Sequence, residues 1–348
     1  SSCPRNKRST DAIGLSIEFS SLCNGLQATL IIGNYLWELS RDDPLHGYLR
    51  HQVGPQIGIY SRNTDYRVFQ FAYSRNVYLY IGHNGGTKLV GKFFKSSNPD
   101  HARKLGESEF NNLIYLRSLG FSKPPHYVVK PYGFNLAIDN LLLTEYVTAE
   151  SLSEIIGRAI HQGNHHRLFR KLSALGQFLA HLHNRTAGDG TVNFDESLEY
   201  MGRLLKSLIE KWGVQREDCD EFFFLREAWR SRGCMWEDRA VLVHGDATPS
   251  NLLCGKGQEV VAIDLERMKW ADRVFDLGRL CGELKHFFFQ GTGNRFAAEP
   301  FIGHFLWEYC GHFPDRVDAF RAITRRLPFY MGITLLRIAR NSWIDPGY

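Results

Sequence analysis

Two acids and an amide stand out in the 348-residue chain, spaced to hold a metal-bound phosphate. The stretch Val241–Leu253 reads VLVHGDATPSNLL: an apolar run, then His244-Gly245-Asp246, with Asn251 following after four residues. A second apolar run, Val260–Ile263, ends in Asp264-Leu265-Glu266. An acid and an amide are therefore expected between strands, facing another acid eighteen positions after the first. Phosphoryl transfer from a nucleotide needs that set. One carboxylate orients or deprotonates a hydroxyl, while an amide oxygen and a second carboxylate hold Mg²⁺ against the phosphates. Asp246 is accordingly the candidate catalytic base, and Asn251 and Asp264 are the candidate metal ligands. Taken singly, Asn251 also fits a turn and Asp264 a strand-end cap. His244 is read as scaffold that bonds backbone within the loop. Glu266 is open between touching metal or substrate and bonding backbone.

Upstream, Lys92 interrupts the apolar run LVGKFF. An edge lysine reaching solvent is its ordinary role. A lysine paired with nucleotide phosphates is the functional one, and it requires a carboxylate on the next helix. Glu107 and Glu109 are both there, and Glu109 is the better placed. Ser74-Arg75-Asn76, at the first hairpin, would lie over the phosphates, since backbone amides of a tight turn cradle phosphate without a glycine-rich motif. Asp276 is read as a helix N-terminal acid or an ion pair supporting the loop. His181 and His183 resemble a metal pair, but residues two apart on a helix point away from each other, so both are read as packing residues. The acidic cluster Glu217–Glu221 is read as a solvated face, the alternative being attraction of a cationic substrate.

These residues need elements to position them. Val68–Tyr73, Val77–Ile81 and Leu89–Phe94 read as a three-stranded meander, with Lys92 on the third strand and a turn at His83–Gly86. Asp100–Gly120 carries apolar residues at helical spacing and stops at Gly120 before Pro124-Pro125. Val128–Phe134 and Asn140–Tyr146 read as two further strands. Beyond Val147 the pattern turns helical: Ser151–Ile160 with Ser151 as cap, then Arg167–Asn184, Glu199–Trp212, Glu221–Arg230, Phe275–Phe289, Phe301–Tyr309 and Arg316–Ser342. Within Leu15–Leu39 the apolar residues fit one or two helices or a helix–strand pair, and Arg5–Asp11 reads as mobile.

Composition narrows the class. Hydrophobic residues at 43% argue against disorder. The formal charge of +5 is mild, and Lys and Arg are spread along the chain, so no nucleic-acid partner is expected. No apolar run reaches the ~18 residues of a membrane span. The seven cysteines form no CxxC pair and are expected as reduced thiols in a cytoplasmic protein.

With these residues in place, the chain from about 66 to 290 resembles the aminoglycoside phosphotransferase/choline kinase superfamily. The segments that carry the resemblance are SRNVY, Lys92 with Glu109, LLLTEYV (Leu141–Val147), LAHLHN, HGDATPSNLL and IDLE. The resemblance implies an α+β, bilobal protein-kinase-like fold: a small antiparallel β lobe plus a large helical lobe. It divides the chain into an N-terminal extension (1–50), a nucleotide-binding lobe (51–147) and a catalytic and substrate-binding lobe (148–348). It also implies ATP or GTP and Mg²⁺ as cofactors, and an adenine site on the main chain of Glu145 and Val147. Ser74 and Asn76 fall in the nucleotide-positioning turn. HGD in place of HRD, IDLE in place of DFG, and the lack of an APE-like segment point away from a protein kinase. The expected activity is transfer to a hydroxyl of a small molecule (a sugar, an aminoglycoside-like compound or an amino alcohol). The alternatives are a protein kinase, or a nucleotide-binding pseudokinase or regulatory module on the same fold.

Overall fold

Strands form where alternate side chains can be buried on one face, and Tyr66 with Val68, and Leu89 with Gly91, are buried beside less buried neighbours. The computed structural model describes residues 34–59, 64–71, 76–83 and 85–341. In it a six-stranded sheet is built from β1 (Asn34–Glu38), β2 (Tyr66–Gln70), β3 (Val77–Gly82), β4 (Lys88–Phe93) and two later strands. A short helix, α1 (Pro44–Tyr48), follows β1, and the long α2 (Pro99–Ser118) follows β4. The chain then runs through β5 (Ser122–Lys123), β6 (His126–Val128), β7 (Pro131–Asn135) and β8 (Leu141–Glu145). The sheet order is β1-β2-β3-β4-β8-β7, all antiparallel. Lys92 lies on a central strand, opposite Val77 of β3 and Leu142 of β8. The period of two is visible in β8: Leu141 and Leu143 enter the core shared with Leu45, Leu49 and Val53, while Leu142 enters the core beneath α2.

Two expectations change here. The single strand expected over Val128–Phe134 is two strands in two sheets. β6 pairs in parallel with Val260–Ala262, and β7 pairs with β8. The break falls at Val129-Lys130, and β7 opens on Pro131, which has no N–H for a ladder. The small lobe also includes residues before 51: β1 pairs with β2, and Leu39, Leu45, Tyr48 and Leu49 are buried in its core. The segment Leu15–Gly33 and the mobile reading of Arg5–Asp11 lie outside the described residues.

The second half is largely helical. After β9 (Glu150–Ser151) come α3 (Leu152–Gln162), α4 (His165–Arg185), α5 (Asp195–Trp212) and α6 (Arg216–Arg230). Ser151 caps α3 in a reciprocal box with Glu154. Then come the short strands β10 (Val241–Val243), β11 (Leu252–Cys254), β12 (Val260–Ala262) and β13 (Lys269–Ala271). The helices α7 (Val274–Thr292), α8 (Glu299–Cys310) and α9 (Arg316–Ala339) complete the lobe. α7 is buried on nearly all sides from Val274 to Leu284, so it forms the axis of this lobe. It lies against α9 closely enough that a Cβ at Gly278 would collide with Tyr330. Among the described residues no helix is long and apolar enough to cross a membrane. Among the described residues, Cys234, Cys254, Cys281 and Cys310 are free thiols.

The joint between β6 and α4 gives one stability prediction. His126 Nδ1 lies 3.4 Å from His181 Nδ1, and the His181 ring stacks edge-on against His312. Burial, with the neighbouring His181 and His312, pushes the His126 imidazole down to about 4. A depressed histidine contributes stability that is complete above its unfolded value of about 6.5 and is lost as pH falls toward 4. The melting temperature should therefore fall between pH 6.5 and 4, and His126→Phe should flatten part of that slope. An identical pH profile in the variant would remove His126 as a cause.

Candidate active site

The loop between β10 and β11 runs over Asp276 in the first turn of α7. The fully buried Asp276 carboxylate accepts the backbone N–H of His244 at 2.6 Å and that of Gly245 at 3.0 Å. His183 of α4 lies 3.2 Å from the same carboxylate through Nε2, and its Nδ1 lies 2.9 Å from the Tyr309 hydroxyl. Because an ionised carboxylate only accepts, Nε2–H donates to Asp276 and Nδ1 accepts from Tyr309. Burial alone would raise the Asp276 carboxyl, but the bonds from His183 and His244 outweigh it and hold Asp276 below the usual carboxylate range. His181 and His183 do point apart: one faces His126, the other Asp276.

The chain turns sharply at Gly245, where φ is 80° and a Cβ would strike the Arg267 carbonyl oxygen. Only glycine fits that approach. The turn delivers Asp246, whose N–H donates to His244 Nδ1 at 3.3 Å. Asn251 folds back so that its Nδ2 donates to the Asp246 carbonyl oxygen at 3.0 Å. Its own carbonyl accepts the Ile263 N–H at 3.0 Å, which ties the loop to the strand leading into Asp264. Asp264 has φ 63°, a left-handed conformation that a short polar side chain tolerates and that recurs at functional sites.

Lys92 reaches this strand from the sheet. Its Nζ bonds Glu109 at 2.8 Å, Asp264 at 2.5 Å and Glu266 at 2.9 Å. Sequence spacing pointed to the Glu109 contact. It did not reveal that Asp264 and Glu266, 172 and 174 residues away, share the same ammonium. Burial opposes the charge on Lys92, but the three carboxylates outweigh it and raise its pKa. Glu109 moves the other way: burial pushes its carboxyl up despite Lys92. Oxygens of Glu109, Asp264 and Glu266 all lie within 4.8 Å of one another, so three acids surround one cation. Asn112 of α2 donates to the Leu265 carbonyl at 2.8 Å and holds the strand in place.

The remaining expected residues are less committed. Ser74 lies outside the described residues. The Asn76 carbonyl accepts the Phe93 N–H at 2.9 Å, beside Lys92 in the ladder. The Glu145 N–H is used by the Lys130 carbonyl at 2.9 Å, and its side chain accepts the Lys130 N–H at 2.7 Å. The Val147 carbonyl accepts from Ala149.

Three groups at the site were absent from the sequence reading. Arg337 of α9 donates to Asp246 Oδ1 at 3.2 Å and to Glu283 at 3.0 Å, and Arg279 of α7 lies 3.8 Å from the same Asp246 oxygen. Asp276, Arg279 and Glu283 recur at spacings of three and four in Val274–Leu284, whose other residues are apolar, and that polar stripe was the available signal.

Residues 66–311 match the phosphotransferase enzyme family, and the chain belongs to it. No curated relative matches the chain. Among solved structures, the fold is similar to the aminoglycoside phosphotransferase APH(2″)-IIa, described in a ternary complex with streptomycin and ATP. That match has a TM-score of 0.55 and 16% identity, covering 86% of this chain and 91% of the other. A type I macrolide 2′-phosphotransferase matches with TM-score 0.51 and 14% identity over 87% and 93% of the two chains. An ethanolamine kinase of Plasmodium vivax matches with TM-score 0.50 and 14% identity over 76% and 72%. At these identities the solved structures establish the shared α+β bilobal fold.

Proposed function

We infer that the chain transfers the terminal phosphoryl group of ATP or GTP to a hydroxyl of a small molecule. The observation that carries this reading is the bond between Lys92 and Asp264, which joins the sheet lysine to the strand beyond the HGD loop. Family membership supports it, as do the nucleotides and small molecules named with the similar structures. Asp246, pinned through its loop to Asp276, would orient the acceptor hydroxyl and take its proton. Lys92, held by Glu109, is the counter-charge for the nucleotide phosphates. Glu145 and Val147 offer main-chain groups to the base.

The site fits Mg²⁺ on its own chemistry. Asn251 spends its NH₂ on the Asp246 carbonyl, which leaves its side-chain oxygen as an acceptor. Asp264 adds a carboxylate, and the Glu109–Asp264–Glu266 cluster holds more negative charge than Lys92 neutralises. Hard oxygen donors of that kind suit Mg²⁺. When bound, the ion would neutralise charge on the phosphates as the terminal group leaves.

Lys92→Ala is the test. It removes the partner of three carboxylates and the proposed phosphate contact together. Nucleotide KM should rise at least tenfold and kcat/KM fall about a hundredfold, which corresponds to about 2.7 kcal/mol. Steady-state kinetics against nucleotide concentration would read both values. Unchanged constants in a folded variant would contradict the assignment.

A further inference from the structure

Two arginines, Arg279 and Arg337, face the Asp246 carboxylate, and one of them has unspent hydrogen-bonding capacity. Arg279 is only 3% exposed. Among the described residues its Nε and one terminal nitrogen have no hydrogen-bond partner. Its nearest acid, Asp246, lies 3.8 Å from Nε, beyond hydrogen-bond reach. A buried guanidinium with unpaired donors is costly, so its retention needs a reason. Steadying the base does not supply one, because Arg337 already donates to the same Asp246 oxygen at 3.2 Å.

A third cation lies close by. Lys269 of β13 sits 4.8 Å from the centre of the Phe275 ring, and the Arg279 guanidinium sits 5.5 Å from the same centre. Arg279 of α7 and Arg337 of α9 thus bring positive charge to Asp246, and Lys269 of β13 shares the Phe275 ring with Arg279. The acids facing them are few. Asp246 is the reacting group, and Asp276 is consumed by the loop amides and His183. Glu283 is tied to Arg337, and burial pushes its carboxyl up, toward the neutral form. Glu196 lies 4.0 Å from Lys269 and is half exposed. An amine-bearing acceptor would meet guanidinium groups at the reacting carboxylate. An anion would find buried donors with a fork geometry suited to carboxylate or phosphate.

Resting on the phosphotransferase reading above, we propose that the acceptor is anionic: a small hydroxylated molecule whose carboxylate, phosphate or sulfate group is held by the free donors of Arg279, with Arg337 and Lys269 around it. The hydroxyl oxygen forms the new bond to the terminal phosphorus as the bond to the nucleoside diphosphate breaks, and its proton passes to Asp246. Arg279 fixes the distance between the anionic group and the hydroxyl that reacts.

The test is a matched acceptor panel with magnesium nucleotide. It compares glycerol with glycerate and glycerol 3-phosphate, and glucose with gluconate, glucose 6-phosphate and glucose 6-sulfate. Ethanolamine and kanamycin serve as amine members. An anionic member should exceed its neutral counterpart at least 100-fold in kcat/KM. Arg279→Met should raise KM for that member at least 30-fold while nucleotide KM stays put, and Arg279→Lys should recover part of the loss. Should the methionine variant fail to fold, Arg279→Lys and Arg337→Gln give the same reading through acceptor KM. Preference for a neutral or amine member overturns the anionic assignment and leaves the phosphotransferase reading standing. So does a panel in which no member rises above the rate with water alone, or an Arg279 variant with unchanged acceptor KM. Absence of both nucleotide binding and nucleotide hydrolysis would take down the phosphotransferase reading itself.

Discussion

Asp246→Asn is expected to leave the protein folded and able to bind nucleotide while lowering phosphoryl transfer about a thousandfold, within the range for loss of a positioned proton acceptor. The amide matches the carboxylate in shape, and the loop does not depend on the side chain it replaces. Asn251 grips the Asp246 carbonyl, and His244 accepts the Asp246 N–H, so both contacts survive. The cost falls on Arg279 and Arg337, which lose a shared counter-charge; Arg337 keeps its bond to Glu283. A melting-temperature drop of a few degrees is the expected sign of that loss. Asparagine is the informative change, because alanine would also remove the acceptor for Arg337 and open space beside the base. Comparison of kcat with nucleotide affinity separates the two effects: kcat should collapse and affinity should hold. A variant that transfers at the wild-type rate would show that another group takes the proton.

The second large effect is expected at Asp276. Its carboxylate is the common acceptor for two loop amides and the His183 ring, all in the interior. Asp276→Ala would strand these donors at once, and breaking a buried charged network of this kind costs about 3–5 kcal/mol. Much of the protein's margin would be lost. Any folded fraction would carry a loop free to move off the geometry that delivers Asp246. Asp276→Asn should be milder, since its oxygen can still take an amide and the His183 ring can exchange its proton between nitrogens. The effect should not vary with pH near neutrality. Asp276 is held below its ordinary value near 3.8, so its stabilisation is complete above that value and lost only as pH falls through the lower folded one. Chemical denaturation at several pH values would show a constant destabilisation. A difference that grew between pH 6 and 8 would mean that another titrating group carries the effect.

How far the chain could be read depended on whether a feature is local. HGDATPSN places an acid, a tight glycine turn and an amide within eight residues, and the reason for glycine is visible in the collision with Arg267. Lys92 and Glu109 were legible because a strand followed by an amphipathic helix leaves few carboxylates within reach. β1 falls within Leu15–Leu39, where the sequence leaves helices and a helix–strand pair open, because an edge strand with most of its residues exposed carries no alternation. The expected strand at Val128–Phe134 looked continuous because its two halves are apolar for different partners, β12 and β8. The joining of Asp264 and Glu266 to Lys92 depends on the closure of two lobes across more than 170 residues. Arg337 reaches Asp246 only because α9 lies against α7 at Gly278, a contact between helices that periodicity cannot specify.

The central claim is transfer from nucleotide to alcohol, with Asp246 receiving the proton. Phosphorus NMR of the full chain with magnesium nucleotide and the best acceptor of the panel measures it directly. Wild type should yield one nucleoside diphosphate for each new phosphate monoester, and Asp246→Asn should yield almost none. Release of inorganic phosphate alone, at equal rates in wild type and Asp246→Asn, would contradict the account.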